Sequence, residues 1–303
     1  MDFGYSPPPG DREMGAIDPA TFVADLDRVV DAVAPWASSI WVSDHFMEHA
    51  GYRAEPWTQL TWIAARHPGL LLGHCVLGNS YRHPPLLAKM AASLQALSGG
   101  RFILGIGSGW LESEYRGYGY DYPPTPVRIE QLAEALRLMK TLWYDQPATF
   151  EGRWFRLEGA WCNPAPNPPI PILVAGGGEK YLLRVVAEHA DWWLSYGDRP
   201  EVLRRKLSVL ADHCAAVGRD PATIRKASPM TVYLARSAAR AREWAGAAAE
   251  GERPAFAGEP AALIDRIREL EALGFEMVQL RFAGLFDTTD IDLFRDEVLP
   301  AFR

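Results

Sequence analysis

The stretch from His74 to Trp110 constrains this chain more than any other. His74-Cys-Val-Leu-Gly-Asn-Ser-Tyr-Arg-His-Pro84 carries an apolar run into a polar loop. An apolar helix follows to near Leu97, and Ser98-Gly-Gly-Arg101 reverses the chain. Phe102-Ile-Leu-Gly-Ile-Gly-Ser-Gly-Trp110 is then a second apolar run that ends in glycines. Two parallel strands need such a crossover helix, so the stretch reads as one βαβ unit. Both strand exits carry residues suited to holding a ligand.

The same alternation extends in both directions. Asp2–Ser6 fits a first strand, and Asp18-Pro19 opens a helix with Phe22, Leu26, Val29, Val30 and Val33 at helical spacing. Ser39–Ser43 fits a second strand, ending at Asp44-His45-Phe46. After the loop Met47–Pro56, Trp57–Ala65 reads as helix, Leu70–Leu77 as the third strand and Phe102–Gly107 as the fourth. Ser108–Pro126 is too long for a plain connection and is read as functional. Arg128–Tyr144 is an amphipathic helix, and Ala148–Leu157 a hairpin around Glu151-Gly152.

The Pro-rich segment Asn163–Pro171 leads to Ile172–Ala175, the fifth strand, and Gly176-Gly-Gly178 turns into a helix over Lys180–Ala187. Ala190–Tyr196, Ile224–Ala235 and Glu276–Phe282 complete the strands, with helices over Glu201–Val217, Ala238–Glu250, Pro260–Leu273 and Ile291–Phe302. Gly251–Gly258 reads as a loop. Eight strands separated by helices imply an α/β (β/α)8 TIM barrel, one domain over 1–303, with insertions after strand four and before strand five. An open doubly wound sheet is the alternative; its Gly-x-Gly-x-x-Gly after the first strand is missing.

Bulk properties narrow the partners. The net charge of −7 argues against nucleic acid or an anionic membrane, though a local pocket can still oppose that sign for a small anion. Cys75, Cys162 and Cys214 are scattered and form no Cys-x-x-Cys pair, so neither a disulfide framework nor a zinc site is indicated. Met1–Pro9 has neither a basic region nor an apolar run, which points to the cytoplasm. His45, His49, His67, His74 and His83 suggest a metallohydrolase only weakly, because no His-x-His or His-Glu-x-x-His is present; no metal site is expected.

In a barrel of this kind chemistry sits at the carboxyl ends of the strands. Asp44-His45 puts a carboxylate beside an imidazole there, suited to proton transfer near neutral pH; the competing reading is a histidine that only packs the rim. Gly176, Gly177 and Gly178 let a backbone approach a ligand closely, the following helix start favours an anion, and Lys180 adds charge. Gly105, Gly107, Ser108 and Gly109 offer a second set of backbone donors. Together they read as a phosphate cradle, or else as two tight turns. Trp57, Trp110 and the Tyr cluster suggest walls for a flat ligand.

These residues resemble a known family. Ser43-Asp-His-Phe46, Asn79-Ser-Tyr-Arg-His-Pro84-x-x-Leu-Ala-Lys-Met90 and Leu97-Ser-Gly-Gly-Arg101-x-x-Leu-Gly-Ile-Gly-Ser-Gly-Trp110 are similar to the bacterial luciferase-like superfamily, and within it to the coenzyme F420-dependent oxidoreductases. Arg128-x-x-x-Leu-x-Glu-Ala-Leu136, Phe150-Glu-Gly152, Pro171-Ile-Leu173, Gly176-Gly-Gly-Glu179, Ala190-Asp-Trp192 and Cys214-x-x-Val-Gly-Arg-Asp-Pro221 continue the likeness over nearly the whole chain.

The resemblance implies a deazaflavin or flavin across the barrel mouth, a homodimer, and a non-prolyl cis peptide at Cys75–Val76 behind the ring. It places Asp44 near the ring edge, His45 as the proton-handling residue, Asn79 near the ring, Gly107–Gly109 near the cofactor side chain and Gly176–Gly178 on its phosphate. The expected activity is hydride transfer between F420 and a small organic substrate. The alternatives are an FMN monooxygenase fed by a partner reductase and a flavin-binding protein without catalysis. Two departures stand out. The sugar-phosphate dehydrogenases of the family carry a Glu where Trp110 stands here, with Glu112 and Glu114 further on. The segment Ala34–Ile40 lacks the family's acidic residue and glycine.

Overall fold

The computed structural model describes residues 1–8, 17–47, 51–196, 199–250 and 255–303. Its strands are β1 (Asp2–Tyr5), β2 (Ser39–Val42), β3 (Leu71–His74), β4 (Leu77–Gly78), β5 (Phe102–Gly107), β6 (Ala148–Glu151), β7 (Arg156–Ala160), β8 (Ile172–Ala175), β9 (Trp192–Leu194), β10 (Arg225–Leu234), β11 (Phe256–Gly258) and β12 (Met277–Phe282). Its helices are α1 (Phe22–Val33), α2 (Pro56–Arg66), α3 (Pro84–Leu97), α4 (Glu112–Gly117), α5 (Thr125–Tyr144), α6 (Leu182–His189), α7 (Pro200–Ala216), α8 (Ala238–Ala245), α9 (Pro260–Ala272) and α10 (Thr289–Leu293). Strands β1, β2, β3, β5, β8, β9, β10 and β12 pair in parallel, and the β10–β12 and β10–β9 pairings close the ring into the expected TIM barrel.

The alternation of each strand divides its side chains between two layers. Ile40, Val42, Leu72, Leu104, Ile172 and Val174 face the surrounding helices. Trp41, Ile103, Leu173, Trp192, Leu194, Ala227 and Met277 fill the barrel. Trp41 is wholly buried, and its indole occupies the space that a Cβ on Gly4 or Gly73 would need. Glycine on both neighbouring strands is what lets so large a side chain sit inside.

The Ser98–Arg101 turn is held by one side chain. Arg101 donates to the carbonyls of Ala64, His67, Leu70 and Ser98, tying the end of α2, the turn before β3 and the end of α3 to the start of β5. Four carbonyls around one guanidinium use the forked donor geometry that Lys lacks.

Several elements differ from the sequence reading. The third strand is not continuous: it breaks at Cys75–Val76, whose peptide bond is cis as the resemblance implied, and resumes as β4. The hairpin turns over Gly152–Phe155, because the buried Glu134 carboxylate accepts the backbone N–H groups of Arg153, Trp154 and Phe155. Ser108–Pro126 contains α4. Phe256–Gly258, read as loop, pairs with β10 as β11; residues 251–254 lie outside the description. Helix α1 starts only at Phe22, since Asp18 spends its side chain on a turn to the Ala20 N–H at 2.8 Å. The closing helix is short: α10 widens into a π-helical turn over Phe294–Val298 and ends in a 3₁₀ turn over Leu299–Phe302, where Pro300 lacks an N–H to continue the ladder.

Candidate active site

Three strand exits converge at one rim. Asp44 and His45 leave β2, Asn79–Arg82 leave β4, and Ser108–Trp110 leave β5 into α4. Asp44 is buried and wholly engaged. Its Oδ2 accepts the Gly78 N–H at 2.8 Å and Arg82 Nη1 at 3.0 Å, and its Oδ1 accepts Arg82 Nη2 at 3.0 Å. Burial pushes the Asp44 carboxyl above its ordinary value, opposed by the guanidinium and the Gly78 amide. Arg82 also pairs with Glu55, whose carboxylate caps α2 through the Thr58 N–H at 2.7 Å. Asp44 thus ties the end of β2 to the loop after β4 and, through Arg82, to α2.

His45 is held differently. Its Nδ1 lies 3.0 Å from Oε2 of Glu114, whose side chain is fully buried. The Tyr81 hydroxyl donates to the same oxygen at 2.7 Å, while the N–H groups of Phe46 and Met47 donate to Oε1. Burial alone would raise the Glu114 carboxyl; the hydrogen bonds from His45, Met47 and Tyr81 outweigh it and hold it below its ordinary value. Trp110, 65% exposed, stands edge-on to the His45 ring at 5.7 Å. Behind this set Phe46, Tyr81, Tyr115 and Tyr122 pack ring against ring.

Cys75 and Val76 pack against the apolar contents of the barrel. Beside them, Gly105 and Gly107 have a specific use. A Cβ on Gly105 would lie 1.8 Å from the His74 carbonyl oxygen, and one on Gly107 would press on Val76. These glycines let β5 run flush with the bulge. Asn79 donates its N–H to Gly107 O at 3.0 Å, and its buried Oδ1 has no partner among the described residues.

At the next strand exit, beside that of β5, Gly176-Gly-Gly178 links β8 to α6. Gly176 has φ 129°, its carbonyl accepts Trp193 Nε1 at 2.8 Å, and Gly178 O accepts the Leu182 N–H at 3.1 Å. A Cβ on Gly177 would lie 2.4 Å from Nζ of Lys206, a buried side chain of α7. The ammonium of Lys180, in contrast, sits over the Tyr181 ring at 5.0 Å.

The structure therefore brings together Asp44, His45, Cys75, Val76, Asn79, Gly107, Ser108, Gly109 and Trp110, with Gly176–Gly178 at the adjoining exit of β8. It does not bring Trp57 to them. That ring stacks on the buried His74 at 5.1 Å and meets Phe102, in the layer between barrel and helices, so its placement corrects the reading of Trp57 as a pocket wall. His49 lies outside the described residues.

The sequence reading assigned no role to Glu114, Tyr81, Arg82 or Lys206. Lys206 left a signal: Leu203, Leu210 and Cys214 share its face of α7 and are all buried, so a lysine stands where an apolar residue is due. Glu114 left none, since its partners come from β2 and the loop after β4.

A model of the luciferase-like monooxygenase family matches residues 37–262. The chain belongs to this luciferase-like family. Among curated relatives of this luciferase-like protein, the F420-dependent glucose-6-phosphate dehydrogenase of Kineococcus radiotolerans is 30% identical over 275 residues, covering 88% of this chain and 80% of that one. The F420-dependent hydroxymycolic acid dehydrogenase of Mycobacterium tuberculosis is 27% identical over 292 residues, covering 87% and 80%. A solved F420-dependent secondary alcohol dehydrogenase, in complex with an F420-acetone adduct, superposes with a TM-score of 0.84 at 20% identity, covering 100% of this chain and 99% of that one.

Proposed function

We propose that this luciferase-like protein is a coenzyme F420-dependent oxidoreductase that transfers hydride between the deazaflavin and a small organic alcohol or its carbonyl product. The names of the two dehydrogenases above support the cofactor. The observation that carries the proton chemistry is His45, fixed through Nδ1 by a buried carboxylate, with its ring edge-on to Trp110. When bound, F420 supplies a two-electron hydride acceptor or donor.

The residues fit such a group. Gly176–Gly178 and the Lys206 amine offer a phosphate a backbone of small residues and a cation. The Cys75–Val76 bulge offers a flat apolar rest, and Asn79 Oδ1 a buried acceptor beside it. Asp44 acts through Arg82 and Gly78 to hold the loop after β4 in place. His45 exchanges the substrate hydroxyl proton. Trp110, standing where sugar-phosphate dehydrogenases of the family carry a carboxylate, favours an apolar carbinol over a phosphorylated sugar.

We further propose a homodimer working in the cytoplasm. No helix among the described residues is long and apolar enough to cross a membrane, and none of Cys75, Cys162 and Cys214 is in a disulfide, as in a reducing compartment. Fluorescence titration of the apoprotein with F420 and with FMN tests the cofactor. Tight F420 binding with weak FMN binding is expected. The reverse result moves the protein to the monooxygenase branch, with a partner reductase, and binding of neither removes the proposal.

A further inference from the structure

The Glu114 carboxylate has four donors on two oxygens, and their arrangement fixes the hydrogens. Oε1 takes the backbone N–H groups of Phe46 and Met47, which can only donate. Oε2 takes the Tyr81 hydroxyl at 2.7 Å and His45 Nδ1 at 3.0 Å. An ionised carboxylate only accepts, so the nitrogen facing it must carry hydrogen. In neutral imidazole one nitrogen is then a donor and the other a bare lone pair. Nε2 takes no partner among the described residues.

We propose that Glu114 is a positioning residue that locks His45 in the Nδ1–H tautomer, so that Nε2 meets the substrate hydroxyl as a base. This rests on the proposed proton-handling role of His45. In the oxidising direction the substrate O–H bond breaks and an Nε2–H bond forms, while the carbinol C–H pair leaves as hydride to the F420 named above. In the reducing direction the Nε2–H of the imidazolium returns the proton.

The substitution Glu114→Gln separates the tautomer from the packing. Oε1 must stay an acceptor for the two backbone N–H groups, so the amide nitrogen replaces Oε2. It donates to the Tyr81 oxygen and to His45 Nδ1, which must now accept. The ring switches to the Nε2–H tautomer, with no volume change.

The ¹⁵N chemical shifts of the His45 ring, read in the apoprotein at a pH where the ring is neutral, report the tautomer without cofactor or substrate. Nδ1–H is expected in the natural protein and Nε2–H in Glu114→Gln. With F420 and an oxidisable alcohol, kcat is expected to fall by about 100-fold while KM changes by less than about threefold. Nε2–H in the natural protein overturns the proposal even if the variant does not fold, and so does Nδ1–H in the variant. A tautomer that switches while kcat holds upholds the role of Glu114 and instead removes His45 as the proton carrier.

Discussion

Two strand exits of this barrel look alike in sequence and differ in what they accommodate. β5 ends in Gly105-Ile-Gly-Ser-Gly109, and β8 ends in Gly176-Gly-Gly178. At β5 the space beside the glycines is already filled by the protein: the His74 carbonyl against Gly105, Val76 against Gly107 and the Tyr115 hydroxyl against Gly109. At β8 the approaching groups are the buried amine end of Lys206 and the side chain of Leu182. Glycine in a sequence announces that something comes close; it does not say whether that is backbone, a side chain or a ligand. The first exit is closed mainly by the bulge of the neighbouring strand, and the second by side chains of the helices that follow it.

Substitutions should split along this line. Gly105→Ala drives a methyl into backbone that cannot step aside, and is expected to cost about 3 kcal/mol or more of stability, read by urea denaturation or by loss of soluble protein. A fully stable Gly105→Ala would erase the contrast. The same exit should be acid-sensitive. Burial pushes the His74 imidazole down to about 3, so the folded state binds fewer protons than the unfolded one below the ordinary histidine value. Stability is then whole above about pH 6.5 and falls as pH drops, by on the order of 3 kcal/mol by pH 4. Urea midpoints across that range should show the slope, and His74→Phe should flatten it.

At the second exit the effect should move from stability to binding. Gly177→Asp sets a carboxylate beside Lys206 where a phosphate is proposed. F420 affinity is expected to fall by about 30-fold, or about 2 kcal/mol. Unchanged affinity in a fluorescence titration would take the phosphate away from this loop. The smallest effect is expected from Gly178→Ala, whose Cβ meets only Leu182 at 3.6 Å. Stability should stay within about 0.5 kcal/mol and affinity within about threefold.

The barrel was legible because it rests on local periodicity: eight apolar runs, each followed by helical spacing, leave few alternatives. Asp44 and His45 were legible for the same reason, as polar residues at a strand end. What surrounds them was not. Arg82 lies 38 positions from Asp44, and Glu114 lies 69 from His45; neither pairing has a spacing that a local pattern can detect. The aromatic content likewise marked Trp57 and Trp110 equally. Only packing separates them, since one ring lies flat on His74 inside the wall and the other projects at the rim. The break in the third strand came from family resemblance, because nothing in Cys75-Val76 itself marks it.

Trp41, wedged between Gly4 and Gly73 and tilted against Trp192 at 6.3 Å, stoppers the barrel from within. The barrel interior is therefore side chain rather than passage, and whatever the strand exits hold has to reach them from the rim.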